Sequence, residues 1–137
     1  IAGTLHDLAV QLRRKGIVII ISDFFDDEEE ILEGIQHLRF GGHEVIVFHT
    51  LDSDELDFPF QGLVEFQGLE QIPKVLTRPR EIRATYRRVF GDFLTRIRRG
   101  CERNHVHYVQ IDTSKPLAQV LSSYLTFRLR TSKGKQT

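Results

Sequence analysis

Methionine and tryptophan are absent from these 137 residues, cysteine occurs once and proline four times. A lone thiol, Cys101, cannot close an internal disulfide, so a stapled secreted framework is excluded. Such a residue is expected to serve as a small buried apolar group. No apolar run approaches the roughly 20 residues needed to span a bilayer. The longest, Ile17 to Ile21, has the length of a strand. The first residues lack the charged-then-apolar order of a secretory signal, and a cytoplasmic location is expected. There is no Gly-rich phosphate loop, no Gly-x-Ser-x-Gly elbow and no Cys/His pair at a recognisable spacing. The absence of methionine, together with a helical pattern that starts almost at Ile1, leads us to expect that sequence precedes Ile1. This chain would then be a fragment lacking the first strands of its fold.

The net charge is zero, but the charges are sorted. From Asp23 to Glu70 there are fourteen acids and one base, Arg39; from Gln71 onward there are fifteen bases and four acids. Either the two blocks lie together and neutralise each other, or they form two surfaces for different partners. The first reading is favoured. Exposed ion pairs contribute only about 0–1 kcal/mol each, so the sorting bears on docking more than on stability.

Leu5, Leu8, Ala9 and Leu12 recur at helical spacing, with Arg13, Arg14 and Lys15 expected in the last turn and Gly16 as the stop. Ile17 to Ser22 is a continuous branched run, which predicts a strand buried on both faces of a parallel sheet. Asp26 and Asp27 can cap a second helix that runs to about Phe40, with Ile31, Leu32, Ile35 and Leu38 inward and Gly41-Gly42 at its end. Glu44 to Thr50 is a second strand, giving a parallel βαβ unit. Leu51 to Phe60 is an acidic, turn-rich excursion. Leu63 to Gln67 and Gln71 to Thr77 are predicted to form a short β-hairpin insertion. Pro79 suits the start of a long helix to about Asn104, its apolar stripe being Ile82, Tyr86, Val89, Phe90, Phe93, Leu94, Ile97 and Cys101. Val106 to Ile111 is a third strand, and Pro116 opens a last helix whose apolar side is Leu117, Val120, Leu121, Tyr124 and Leu125. The expected organisation is a single partial domain over 1–130 and a polar tail over 131–137.

Each predicted strand ends in an acid: Asp23, Asp52, and Asp112 with Thr113 and Ser114. Parallel α/β sheets bind ligands beyond the carboxyl ends of their strands, and oxygen-rich side chains there suit a hard cation such as Mg²⁺. Asp residues in these places also close turns and cap helices. Capping is favoured for Asp112 and a loop role for Asp52, while Asp23 is balanced between the two readings. His43, His49, His105 and His107 lack partners at metal-ligand spacing, so they are expected to be packing or surface groups. The arginines from Arg78 to Arg103 could meet phosphate, but without interleaved exposed aromatics they are expected to form a solvated helix face, and no nucleic-acid partner is expected.

The segments RRKGIVIIISDFFDD, HEVIVFHTLDSDELDFPFQGLVEFQGLE, RATYRRVFGDFL and HYVQIDTSKPL together resemble the C-terminal half of the bacterial family called domain of unknown function 58. That family is von Willebrand factor A-like and is often encoded beside MoxR-type AAA+ ATPases. The resemblance covers nearly the whole chain. It implies an α/β, Rossmann-like von Willebrand A-type three-layer fold with a mainly parallel sheet. It also implies a metal-ion-dependent adhesion site built from an Asp-x-Ser-x-Ser loop, a threonine from a second loop, and an Asp that ends a later strand. Only Asp23 matches the last of these, in Ser22-Asp23-Phe24 where the family has Thr-Asp-Gly. Thr4 is the candidate threonine, and the Asp-x-Ser-x-Ser element would lie before Ile1. The function implied is a non-enzymatic protein-interaction module, with Mg²⁺ bound in the full-length protein and not in this fragment, and a MoxR-type AAA+ ATPase as partner. Two alternatives from other classes use the same rim. One is a receiver-like phosphoacceptor with Asp23, Asp26, Asp52, Thr113 and Lys115-Pro116; the other is a Mg²⁺-dependent hydrolase.

Overall fold

A computed structural model describes residues 1–54 and 79–133 of the chain. The elements are α1 (Ala2–Gln11), β1 (Ile17–Ser22), α2 (Glu28–Phe40), β2 (Glu44–Leu51), α3 (Pro79–Arg103), β3 (His107–Asp112) and α4 (Leu117–Lys133). The predicted β-hairpin, most of the acidic excursion and the end of the polar tail lie outside the described residues. α4 itself continues through Thr131 to Lys133.

The three strands form one parallel sheet in the order β1-β2-β3. Ile17 pairs with Glu44 and Ser22 with His49 across the first ladder, and Ile46 with His107 and Leu51 with Asp112 across the second. Because side chains alternate along a strand, this register assigns Val18, Ile20, Val45, Val47, His49 and Tyr108 to one face. Ile17, Ile19, Ile21, Ile46, Phe48, Val109 and Ile111 take the other. The first face meets Ala2 and Leu5 of α1, Ile31, Ile35 and Leu38 of α2, and Ile97 and Cys101 of α3 in one core. On the second face, Val120, Leu121 and Tyr124 of α4 pack against Ile46, Phe48, Val109 and Ile111. The result is a three-layer α/β, Rossmann-like arrangement. Cys101 is fully buried, as expected, and burial pushes its thiol up to about 12.

The helix ends follow the local chemistry. Asp27 accepts from the backbone N–H groups of Glu29 and Glu30, both at 3.0 Å, and Glu28 to Glu30 occupy the positive end of α2. Asp26 caps a different helix: its Oδ2 accepts from the Ala2 N–H at 3.1 Å, holding the start of α1. Gly42 adopts φ +83°, which an L side chain rarely takes, so the turn after α2 favours glycine; the lysine chain of Lys15 that a Cβ there would meet is flexible and could move aside.

Four expectations are corrected. α1 stops at Gln11, and Leu12 is already extended (φ −75°, ψ 102°), which leaves Arg13 to Lys15 in the connection to β1 and not in the helix's last turn. β1 is covered on one face only. Ile17, Ile19 and Ile21 are 57%, 55% and 67% exposed, because α4 lies over β2 and β3 and no described element crosses β1 on that side. On α3, Val89 falls outside the buried stripe and is exposed. On α4, Leu117 and Leu125 are exposed, so its packing side narrows to Val120, Leu121 and Tyr124.

α1 and α2 meet at Gly34, where an added Cβ would stand 2.7 Å from Leu5 Cβ, a backbone-anchored atom that cannot swing away. Nothing lies within 4 Å of such an atom at Gly91 of α3. Glycine-to-alanine substitution inside a helix ordinarily stabilises by about 0.5–1 kcal/mol. Gly91→Ala should show that gain in urea denaturation. Gly34→Ala should instead lose about 1–3 kcal/mol through overpacking. Equal effects at the two sites would refute the close approach.

Candidate functional site at the carboxyl rim of the sheet

The ladders bring the three strand-end acids to one rim, where each is committed to its own turn. Asp23 is exposed, and its Oδ1 accepts from the Phe25 N–H at 3.2 Å, while Ser22 Oγ accepts from the Phe24 N–H at 3.0 Å. Asp52 Oδ1 accepts from the Asp54 N–H at 2.8 Å. Asp112 Oδ1 accepts from both the backbone N–H (3.0 Å) and the hydroxyl (2.6 Å) of Ser114, and Lys115 Nζ lies 3.4 Å from its other oxygen. The Ser114 hydrogen bonds hold the Asp112 carboxyl below its usual range. These are the local side-chain-to-backbone bonds that close Asx-type turns, in keeping with the loop reading of Asp52; Asp112 closes a turn ahead of α4, which starts at Leu117, and does not cap that helix as expected.

Behind Asp23 sits a fully buried histidine. His49 follows the inward Val45 and Val47 on β2, so alternation sends its ring into the core at the level where β1 ends. Its Nε2 lies 3.0 Å from the Asp23 carbonyl oxygen and its Nδ1 lies 2.8 Å from the Tyr108 hydroxyl. Phe24, Phe93 and Tyr108 surround it edge-on, with ring centroids 5.0, 5.9 and 5.8 Å away. Burial lowers its pKa, against the opposing effects of the Asp23 carbonyl and carboxylate. The ring is therefore neutral, donating from Nε2 to Asp23 and accepting at Nδ1 from Tyr108. That bond fixes the backbone where the chain leaves β1. The next residue, Phe24, turns into φ +55° and drops its ring into the core. Phe25 is thrown outward and is 95% exposed.

Beside this turn opens an apolar cleft of about 500 Å³, lined among the described residues by Asp23, Phe25, Leu51, Tyr86, Phe90 and Phe93, with Arg96 at its edge. Tyr86, Phe90 and Phe93 stack along one side of α3, with centroids 5.5 and 6.1 Å apart. Arg96 Nε–H is shared between the two carboxylate oxygens of Glu28, at 2.8 and 3.0 Å.

The family described as "Protein of unknown function DUF58" matches residues 1–96. The chain belongs to this family. No curated protein and no solved structure matches it.

For this DUF58 chain the rim can be tested against a metal ion. Mg²⁺ demands near-octahedral oxygen coordination. Asp23 offers one carboxylate already engaged by a backbone N–H, and Thr4 is an exposed residue early in α1. Among the described residues no group of three His, Cys, Asp or Glu side chains could hold a metal ion. The residues present do not by themselves fit Mg²⁺. The four singled-out histidines take separate positions. His43 and His49 are buried at opposite ends of β2, His105 is exposed in a φ +55° turn, and His107 is half-buried on β3. The arginines of α3 include Arg96 on Glu28 and Arg98, whose guanidinium lies 5.8 Å from the Tyr108 ring centroid. No described helix is long and apolar enough to cross a membrane.

Sequence reasoning placed His49 among packing residues and missed its grip on Asp23. The signal was available in part: an imidazole on the inward parity of Val45 and Val47 must be buried, and most buried polar atoms find partners, although Nδ1 of the buried His43 has none among the described residues. The lowered pKa carries a pH dependence. The unfolded chain takes up a proton near pH 6.5 while the native ring resists it, so His49's contribution is complete above that pH and is lost on acidification, at up to about 1.4 kcal/mol per pH unit, until the native ring itself protonates. Urea titrations between pH 7.5 and 4.5 should show this slope in the parent chain and a shallower one in His49→Gln, which should also be less stable at pH 7.5. An unchanged slope would remove His49 as its source.

Proposed function

We propose that this DUF58 chain is a non-enzymatic protein-interaction module that takes an apolar side chain of its partner into the aromatic cleft at the carboxyl rim. The observation that carries this reading is the pairing of Phe25, held almost wholly in solvent by a rigid turn, with the stacked Tyr86, Phe90 and Phe93 wall across the cleft. Exposed aromatic rings around an apolar recess are the composition of binding hot spots. Asp23 at the rim adds an acceptor for a basic group on the partner. Catalysis by the same rim lacks its usual support, because among the described residues no three His, Cys, Asp or Glu side chains are grouped to hold a metal ion. A MoxR-type AAA+ ATPase, suggested by the family resemblance, is the partner to try first.

The receiver-like alternative requires a phosphorylated Asp52 with Lys115 directed toward it, whereas Lys115 pairs with Asp112. Calorimetry of the chain with a cognate MoxR-type ATPase should give a complex that Phe25→Ala weakens at least about 30-fold, the loss typical of a hot-spot residue (about 2 kcal/mol). Because Phe25 is so exposed, its Tm should hold. Wild-type affinity in Phe25→Ala would remove the cleft as the docking surface. Incorporation of phosphate at Asp52 from acetyl phosphate would replace the module reading with the receiver.

A further inference from the structure

Away from the rim, two histidines that the sequence pattern did not single out meet across the α1–α2 contact. His6 of α1 and His37 of α2 approach with their Nδ1 atoms 3.0 Å apart and their rings nearly perpendicular (73°), at a centroid distance of 4.8 Å. His37 is exposed and His6 half-exposed, so solvent reaches the pair. The helices that carry them are locked at short range by Gly34 against Leu5, and α1 is pinned at its start by Asp26. The spacing of the two rings is thus set by the fold and not by the rings.

We propose that His6 and His37 form a binding site for a borderline transition-metal ion of the Zn²⁺ or Cu²⁺ class, bridging α1 to α2. In the metal-free pair a single proton lies between the two nitrogens, one Nδ1–H donating to the lone pair of the other. An ion can take the place of that proton, sitting to one side of the line between the two nitrogens, after a rotation of the rings that their solvent exposure allows. At metal–nitrogen distances of about 2.0–2.1 Å, tetrahedral coordination places two ligand nitrogens about 3.3 Å apart. A right-angled arrangement, as favoured by Cu²⁺, places them at about 2.9 Å. The observed 3.0 Å lies between the two. Among the described residues no third His, Cys, Asp or Glu is grouped with them, and the solvent exposure of His37 leaves room for water as a further ligand. Imidazole nitrogen selects such ions over Mg²⁺ and Ca²⁺, which prefer oxygen.

The test uses the whole chain and Zn²⁺ itself, with Mg²⁺ as the contrast. Calorimetry at pH 7.5 should show one Zn²⁺ per chain, and the Tm should climb with Zn²⁺ concentration, since the ion binds only the folded pair. Mg²⁺ should move neither. Binding should weaken as the pH is lowered, because protons compete for the two Nδ1 atoms. His37→Ala and His6→Ala each place a good helix former at a solvent-accessible helical position, so the chain should still fold. Each should weaken Zn²⁺ binding by about 100-fold or more, beyond the 10–100-fold typical of losing an outer-shell partner. The double variant His105→Ala, His107→Ala should bind as the parent does. Absence of a Zn²⁺-dependent Tm shift in the parent, or parental affinity in either His6→Ala or His37→Ala, would overturn the site and leave a plain hydrogen bond between two rings.

Discussion

β2 is hydrogen-bonded to a strand along each edge and covered by helices on each face, and this double enclosure constrains the rest of the chain. Val45 to His49 are all buried, so every position along the strand must be satisfied, whichever way it points. The inward set meets α2 and α3, and the outward set meets α4. A strand enclosed in this way tolerates a polar side chain only where both of its hydrogen-bonding atoms find partners. His49 satisfies that rule through Asp23 and Tyr108, one on each neighbouring element of the sheet. The same bond that settles a buried imidazole therefore also sets the backbone course after β1, the left-handed turn at Phe24 and the outward throw of Phe25. Core and rim are one structure at this point.

The secondary structure was largely legible because the sequence alternates strong signals. Branched residues marked β1 and β2, alternating apolar positions marked β3, the Asp27 cap with its acidic first turn marked α2, and Gly41-Gly42 marked its end. What a branched run cannot report is which polypeptide covers it. Ile17, Ile19 and Ile21 have the composition of a strand enclosed on two faces, yet only one face of β1 is covered by described residues. Composition states the requirement for burial, not the identity of the neighbour. The rim was legible in location, and the local roles of its acids only in part. Three acids at three strand ends look like converging ligands when only the order of residues is known. Convergence depends on side-chain direction, and local Asx-type bonds to Phe25, Asp54 and Ser114 decide that direction. The His6–His37 meeting was not legible at all, since it depends on the relative rotation of two helices whose intervening strand hides their spacing.

The sorted charges also resolve into geometry. Glu28 of α2 receives Arg96 of α3, and Glu44 of β2 receives Arg128 of α4 at 2.7 Å, so the acidic and basic blocks do meet. These pairs are at least partly solvated and contribute little to stability individually. Their value is positional: each ties a helix from the basic half to an element from the acidic half, on opposite faces of the sheet.

The aromatic cleft follows from a mismatch in length. α3 has 25 residues and reaches about 37 Å at 1.5 Å per residue, whereas β3 has six and reaches about 20 Å. A short turn joins the C-terminus of α3 to the start of β3, so the two are in step at that end and the excess length of α3 projects beyond the carboxyl ends of the strands. A single apolar stripe then meets two environments. Ile97 and Cys101, over the sheet, are buried in the core. Tyr86, Phe90 and Phe93, further toward the projecting end, stack on one another and stay half-exposed. Periodicity alone assigns the whole stripe to the core, and only the relative lengths of helix and strand divide it. Phe93 still packs on the core beside His49, whereas among the described residues no strand lies over Tyr86 at the projecting end, and Phe25, turned outward by the His49 clamp, faces the same space. The binding surface is thus the continuation of the core past the end of the strands, held open by the one buried polar group that the core contains at that level.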